Sequence, residues 1–183
     1  KNLTIDGAEF KYTGTMTLNK VNVTIENVNF VSGTVYKHKS TGVGGNFTIR
    51  NCTFDGQGLN TYAVNLGGTG AITIENVTAK DYGYGFLQVP ASNNSVSIKN
   101  VTVEGVDYGF KIDYSNGVTI ENADVTANVA ALLNSNFGTK TITVKNSKLN
   151  ILGTWKRNDT VKTTIVFEGE NTVDEFIIEA DVD

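Results

Sequence analysis

Ile72-Thr73-Ile74-Glu75-Asn76 is one copy of a five-residue phrase, apolar-Thr-apolar-charged-Asn, that recurs eight times with small variations. Each copy alternates apolar and polar residues, which is the period of a strand with one buried face. Successive phrases follow one another at nearly constant spacing, as the coils of a solenoid do. The repeat therefore predicts strands that each pair with their own copy one coil further on. The other copies begin at Leu3, Val23, Phe47, Val96, Val118, Ile142 and Ile165.

The fourth position of the phrase carries charges that alternate in sign. Opposite charges on adjacent strands stabilise a sheet by about 0.2–1 kcal/mol per pair, whereas like charges in one column repel. The alternation makes sense only if equivalent positions of successive phrases, far apart in the chain, are neighbours in space. From the second copy onward this column reads Glu26, Arg50, Glu75, Lys99, Glu121, Lys145 and Glu168.

The fifth position is Asn in six copies and Gly in the first and last copies, at Gly7 and Gly169. Asn and Gly tolerate the left-handed backbone region, so we expect each coil to turn at this position. Stacked Asn amides are expected to bond to one another along the rod. The apolar first and third positions are expected to face the core. Cys52, the sole cysteine, falls in a further inward column and is expected to be a buried, inert thiol.

With this asparagine column the chain resembles the pectate-lyase-like superfamily of right-handed β-helices. The resemblance covers nearly the whole chain but concerns the fold, which does not define a function. We predict an all-β, right-handed, single-stranded parallel β-helix (a solenoid) of about seven to eight coils, each of roughly 20–25 residues. Residues 1–183 are expected to form a single domain. Within it, residues 1–153 would be regular coils and residues 154–183 an irregular last coil that caps the rod.

The composition excludes several classes of function. The net charge is −4 and the 15 basic residues are scattered, so we expect no nucleic-acid partner. No apolar run approaches the roughly 20 residues of a membrane span. The chain begins in strand-like sequence at Lys1, which favours a neighbouring domain at the N-terminal end. His38, the sole histidine, is expected to be an exposed loop residue.

The resemblance also implies where chemistry would lie. Enzymes of the superfamily cleave acidic polysaccharides on the face of the first strand of each coil, with calcium-binding Asp clusters and a basic residue or with several carboxylates. The candidates on that side are Lys111 and Asp113, with Asp81, Asp107 and Asp55 at nearby turns. The three turn aspartates fall at different offsets from their ladder Asn, so we expect solvated turn residues rather than an acidic cluster. We expect no metal or cofactor, with calcium relevant only if the chain is a lyase.

Tyr62, Tyr84 and Tyr108 recur at matching places in successive coils. Such a row binds sugars through apolar ring faces and hydroxyl groups. Alternatively, each ring is structural and packs on the small residue that follows a tyrosine in a neighbouring coil.

Two functions therefore stay open. The first is a non-catalytic, secreted or cell-surface domain that binds a polysaccharide or cell-surface glycan, or serves as an adhesive or spacer rod. The second is a small polysaccharide lyase or glycoside hydrolase acting on plant or host polysaccharide.

Overall fold

The computed structural model describes residues 2–18, 22–37, 44–90, 95–113, 115–135, 141–156 and 163–180. His38 lies outside these residues. They form twelve strands and no helix. The strands are β1 (Asn2–Leu18), β2 (Asn22–Lys37), β3 (Phe47–Leu59), β4 (Tyr62–Leu66), β5 (Ile72–Tyr82), β6 (Gly85–Val89), β7 (Ser95–Ile112), β8 (Gly117–Ser135), β9 (Thr141–Lys145), β10 (Lys148–Lys156), β11 (Thr164–Glu168) and β12 (Thr172–Ala180).

Seven parallel pairings join the eight copies of the phrase in the predicted register. Glu75, for example, pairs with Arg50 on one side and with Lys99 on the other. The Arg50 guanidinium lies 2.6 Å from Glu26, and Lys145 Nζ lies 2.7 Å from Glu168. The predicted parallel right-handed β-solenoid is confirmed, and its charge ladder holds the coils in register.

Each coil has three faces. The phrase face carries the phrases. The post-Asn face follows each ladder Asn and includes residues 52–55, 77–80 and 101–104. The return face leads back toward the next phrase and includes β4, β6 and residues 108–112. On each face, the position of a residue along its strand decides whether its side chain points into the core or outward. This alternation does not carry over from one face to the next.

The core is a set of apolar columns that run along the rod. Ile25, Ile49, Ile74 and Ile98 are fully buried in successive coils. Burial of each side chain stabilises the fold by about 1.5–3 kcal/mol. The rings of Phe30 and Phe54 stack with centroids 4.3 Å apart and planes 2° from parallel. Cys52 is buried as predicted, and its burial raises the pKa of the thiol.

One lysine also faces the core. Lys37 lies in register between Leu18 and Leu66, and only 4% of its surface is exposed. Its Nζ donates a 2.7 Å hydrogen bond to the carbonyl of Gly45, and burial lowers the pKa of its ammonium group. The sequence pattern did not reveal it, because the residues in register with Lys37 in the two neighbouring coils are both leucine.

The asparagine ladder is confirmed. The φ angles of the ladder residues Asn27, Asn51, Asn76, Asn100, Asn122 and Asn146 lie between 47° and 58°, in the left-handed region. The amide of Asn76 donates 2.9 Å to Asn51, and that of Asn100 donates 2.9 Å to Asn76. Gly169 continues the column at φ 71°, where the side chain of Asn146 leaves no room for a Cβ.

Gly7 does not continue the column at the other end, contrary to expectation. The pairing of β1 with β2 shifts register between Asp6 and Phe10, so residues 7–9 lie against the single residue Asn27. The Asn27 amide donates 2.9 Å to the carboxylate of Asp6 instead. A carboxylate thus replaces the missing amide as acceptor.

A second left-handed column lies at the corner after the post-Asn face. It comprises Ser32, Gln57, Asp81 and Gly105, with φ angles between 50° and 64°. The Ser32 hydroxyl lies 3.2 Å from Gln57 Oε1. Sequence inspection missed this corner because its four residue types differ.

Regular pairing continues beyond residue 153, where we expected the repeat to end. β11 pairs with β9 from Thr164 to Glu168, and β12 pairs with β10 as far as Ala180. Ile165 still packs on the core, which is why the worn phrase remains a regular strand. The division into regular coils up to residue 153 and a last coil from 154 to 183 stays a prediction, since residues 157–162 and 181–183 lie outside the described ranges.

Candidate functional site

The three candidate tyrosines come together on the return face, although not in one register. Tyr62 of β4 pairs with Gly85 of β6, and Gly85 pairs with Tyr108 of β7. Tyr84 lies one residue earlier, so the expectation of matching positions is wrong for this residue. A Cβ on Gly85 would lie 2.8 Å from Cε1 of Tyr62. The ring of Tyr62 thus packs on the small residue of the neighbouring coil and leaves no room there for a third tyrosine.

Two of the three rings nevertheless contact each other. The centroids of Tyr62 and Tyr84 lie 6.1 Å apart, with an interplanar angle of 52°. Tyr84 is 50% exposed, whereas Tyr62 and Tyr108 are half-buried. Lys111 Nζ lies 5.5 Å from the centroid of Tyr108, within the range of a cation–π contact.

Two carboxylates border this surface. Burial raises the pKa of the Tyr62 hydroxyl, and the nearby Tyr108, Asp113 and Asp107 raise it further. Tyr62 therefore stays protonated at neutral pH and can donate a hydrogen bond. Asp107 accepts a 3.2 Å hydrogen bond from the amide of Asn128. The backbone N–H of Asp113 donates 3.0 Å to the carbonyl of Val89.

A polar column runs beside the rings. Tyr36, Asn65, Gln88 and Lys111 occupy successive positions of one register on the return face. Their side chains point outward, while Leu87 points into the core. The amide of Asn65 donates 2.9 Å to Oε1 of Gln88.

Sequence reasoning missed Asn65 and Gln88. Asn65, Gln88 and Lys111 follow their ladder asparagines at three different offsets, because the connecting turns differ in length. The only available signal was that Gln88 stands midway between the other two in the chain. Without a shared offset from the ladder, that equal spacing does not assign the three residues to one column.

Asp81 and Asp55 belong to a different part of the surface. Lys80 Nζ lies 3.4 Å from Asp55 and 3.9 Å from Asp81. Asp81 occupies the second left-handed column, where its carboxylate lies against Gly105. Asp55 also accepts a 3.2 Å hydrogen bond from the backbone N–H of Gln57. Asp81 is therefore a corner residue, as expected, whereas Asp55 is a paired residue of β3.

The described ranges contain neither a metal-binding cluster nor a membrane-spanning helix. Among those residues, no three His, Cys, Asp or Glu side chains are grouped closely enough to hold a metal ion. The same residues contain no helix long and apolar enough to cross a membrane.

The family assignment follows from a family profile described as "Right handed beta helix region", which matches residues 1–149. The chain belongs to this right-handed β-helix family. A search of curated proteins found no match to this chain.

The return face of this β-helix thus presents a platform of two side-chain columns over three neighbouring coils. The aromatic column comprises Tyr62 and Tyr108, with Tyr84 beside it and one residue outside its register, and the polar column comprises Asn65, Gln88 and Lys111. The rings offer apolar faces, while the amides and the ammonium group offer hydrogen-bond donors and acceptors. We refer to these six residues as the return-face platform.

Proposed function

We propose that the return-face platform binds carbohydrate and that the domain is non-catalytic. The observation that carries this proposal is the polar column beside the aromatic column, with Lys111 in contact with Tyr108. Sugars combine apolar C–H faces with many hydroxyl groups, and these two columns match the two kinds of surface. The half-exposed Tyr84 ring is the main apolar contact in this proposal.

The rigidity of the platform supports binding. Five of the six residues lie on strands that pair with the coils on both sides. Tyr84 lies in the bend before β6, where its backbone accepts a 3.0 Å hydrogen bond from Tyr108 N–H and donates one of 3.3 Å to the carbonyl of Thr61. The bond between Asn65 and Gln88 already orients both amides. A site ordered before binding loses less conformational entropy when the ligand arrives.

The placement of the carboxylates favours binding over turnover. The amide of Asn128 engages Asp107, and Asp81 sits in a corner beside Lys80 rather than on the platform. The proposed partner is a polysaccharide or a cell-surface glycan. The proposed setting is accordingly outside the cell or on its surface, where the rod serves as an adhesive or spacer domain.

Isothermal titration with a panel of neutral and acidic polysaccharides tests the proposal. For a glycan that binds, Tyr84→Ala is expected to weaken affinity about threefold to tenfold, the range of an aromatic contact worth roughly 0.5–1.5 kcal/mol. Tyr84→Phe keeps the ring and should retain most of the affinity. Phe176→Ala removes a similarly exposed ring far along the chain and serves as the matched control. Equal losses for Tyr84→Ala and Phe176→Ala, or no binding to any glycan, would refute the proposal.

A further inference from the structure

The strand segment that carries Tyr108 has a carboxylate at each end. Asp107 directly precedes Tyr108, and Tyr108 pairs with Gly85 of the neighbouring coil. Asp107 therefore lies beside Tyr84, whose carbonyl accepts a 3.0 Å hydrogen bond from the Tyr108 N–H. Asp113 directly follows β7 at the other end of the segment. Both carboxylates thus border the return-face platform without belonging to its six residues.

Both carboxylates act on the hydroxyl of one platform tyrosine. Burial and the nearby Tyr108 raise the pKa of Tyr62, and the negative charges of Asp113 and Asp107 raise it further. A negative neighbour has this effect because it disfavours the charged phenolate. A ligand that covers Tyr62 therefore comes within reach of two negative charges.

Lys111 is the cationic member of the platform. Its Nζ lies 5.5 Å from the centroid of the Tyr108 ring, and this contact keeps the positive charge at the platform. One ammonium group and two carboxylates give this region one excess negative charge, in a chain whose net charge is −4. The other polar members, Asn65 and Gln88, are neutral amides that bond to each other. The field of the site therefore opposes an anionic ligand.

The hydroxyl groups of a neutral sugar match these side chains better than the carboxylate of a uronic acid does. A sugar hydroxyl can donate to a carboxylate or an amide oxygen, and it can accept from an ammonium group or an amide N–H. A uronate carboxylate can only accept, so beside Asp107 or Asp113 it finds no donor in that side chain and meets a like charge. A glycan that carries one carboxylate on every sugar cannot avoid these contacts when it covers the platform.

We infer that the return-face platform selects neutral glycans and rejects glycans built from uronic acids. This selectivity rests on the proposed carbohydrate function and narrows its ligand to one chemical class. It is opposite to the acidic polysaccharides that the superfamily resemblance implied for this face. Asp107 and Asp113 are the specificity-determining residues, because their charges repel the wrong ligand.

Oligouronates of several sugar configurations, each measured as the free acid and as its neutral methyl ester, test the selectivity. The two forms share their sugars and their linkage and differ in charge. Isothermal titration should show that an ester binds and that its free acid binds about twofold to tenfold more weakly, the effect of one or two exposed charge pairs. Added salt should narrow this difference, because it screens the repulsion.

Substitutions at the two carboxylates show whether they cause the difference. Asp107→Asn keeps the shape of the side chain and an oxygen that can accept the 3.2 Å hydrogen bond from the Asn128 amide. Asp107→Asn and Asp113→Asn should each raise the affinity for the free acid about twofold to fivefold. Asp124→Asn is the matched control, because it makes the same change on the post-Asn face, where 59% of the Asp124 side chain is exposed. It should leave the difference between ester and acid as it is in the native protein.

The possible results separate this selectivity from the carbohydrate proposal. A free acid that binds as tightly as its ester, or more tightly, would overturn the selectivity and leave the carbohydrate proposal standing. A difference that neither aspartate variant reduces would also overturn the selectivity, because the repulsion would then come from other groups. If no glycan of either kind binds, both proposals fall.

Discussion

The hydroxyl of Tyr82 donates a 2.6 Å hydrogen bond to the backbone carbonyl of Gly33, which lies 49 residues earlier in the chain. That separation corresponds to two coils, so one buried side chain ties coils that are not direct neighbours. Burial raises the pKa of Tyr82, and the nearby charge of Asp55 raises it further, so the hydroxyl remains a donor at neutral pH. The room for this ring comes from glycine at position 56 in the coil between.

Tyr82→Phe should lower the free energy of unfolding by about 1–3 kcal/mol, because the buried carbonyl of Gly33 loses its hydrogen-bond partner. Urea unfolding of both proteins measures the difference. Tyr84→Phe removes the same hydroxyl from a half-exposed ring and should cost far less. Equal costs for the two variants would show that the bond between Tyr82 and Gly33 does not stabilise the rod.

Gly56→Ala should destabilise the rod by about 1–3 kcal/mol through overpacking. The added Cβ would contact the carbonyl of Asp81 and lie 2.7 Å from Cγ of Tyr82. Gly117→Ala is the matched control, because its Cβ would meet only Thr141 O at an ordinary 3.8 Å. Thermal unfolding of the two variants should show a clear loss for the first and little change for the second.

Asn76→Ala should cost about 1 kcal/mol more than Asn76→Gly. Both substitutions remove the amide bonds to Asn51 and Asn100, but only alanine must also adopt φ 54° against steric resistance. Chemical denaturation of the two variants tests this order. If glycine is as costly as alanine, the amide bonds rather than the backbone angle account for the preference for asparagine.

Lys37 should make stability depend on pH on the alkaline side. Burial lowers its pKa in the folded state, while the unfolded chain titrates near 10.4. Between the lowered pKa and about 10.4 the unfolded chain binds more protons, so the contribution of this residue to stability rises with pH in that window. The difference in unfolding free energy between the native protein and Lys37→Met should rise with pH through that window, as measured by urea unfolding at several alkaline pH values. Tyr62 and Tyr82, whose raised pKa acts in the opposite direction, are present in both proteins and do not affect the difference.

Lys148→Met is the control for this measurement, since the Lys148 side chain is 72% exposed. It should leave the alkaline slope of the native protein intact. A difference between the native protein and Lys37→Met that does not change with pH would show that Lys37 does not contribute to the pH dependence.

Lys111→Ala and Asp113→Asn separate binding from catalysis. If the domain is non-catalytic, neither of these two variants releases reducing ends or unsaturated sugars from a polysaccharide panel, with or without calcium. Lys111→Ala should then weaken glycan binding about twofold to fivefold, because the platform loses its ammonium group and the contact with Tyr108. Product release by the native protein that disappears in both variants would instead establish an enzyme with its site on this face.

The phrase face could be predicted almost completely because its equivalent residues recur at nearly constant spacing. Glu75 and Lys99 occupy the same position of successive phrases and pair directly. Because the spacing between phrases is nearly constant, equivalent residues stay in one column of the phrase face. The candidate site was predicted only in part. Tyr62, Tyr108, Lys111, Asp107 and Asp113 were identified singly. Nothing in their spacing showed that Asp107 and Asp113 lie near Tyr62 or that Lys111 lies over the ring of Tyr108.

The sequence by itself determined the strand period, the coil length, the left-handed asparagine turn and the columns of the phrase face. These follow from local backbone preferences and from pairing between identical positions. Only the tertiary structure decided the return face, because turns of unequal length break the constant offset from the ladder asparagines. Tyr84 therefore lies outside the column of Tyr62 and Tyr108, and Lys37 takes an inward position that the pattern alone would assign to Leu. Turn length sets register, and register decides which side chains meet.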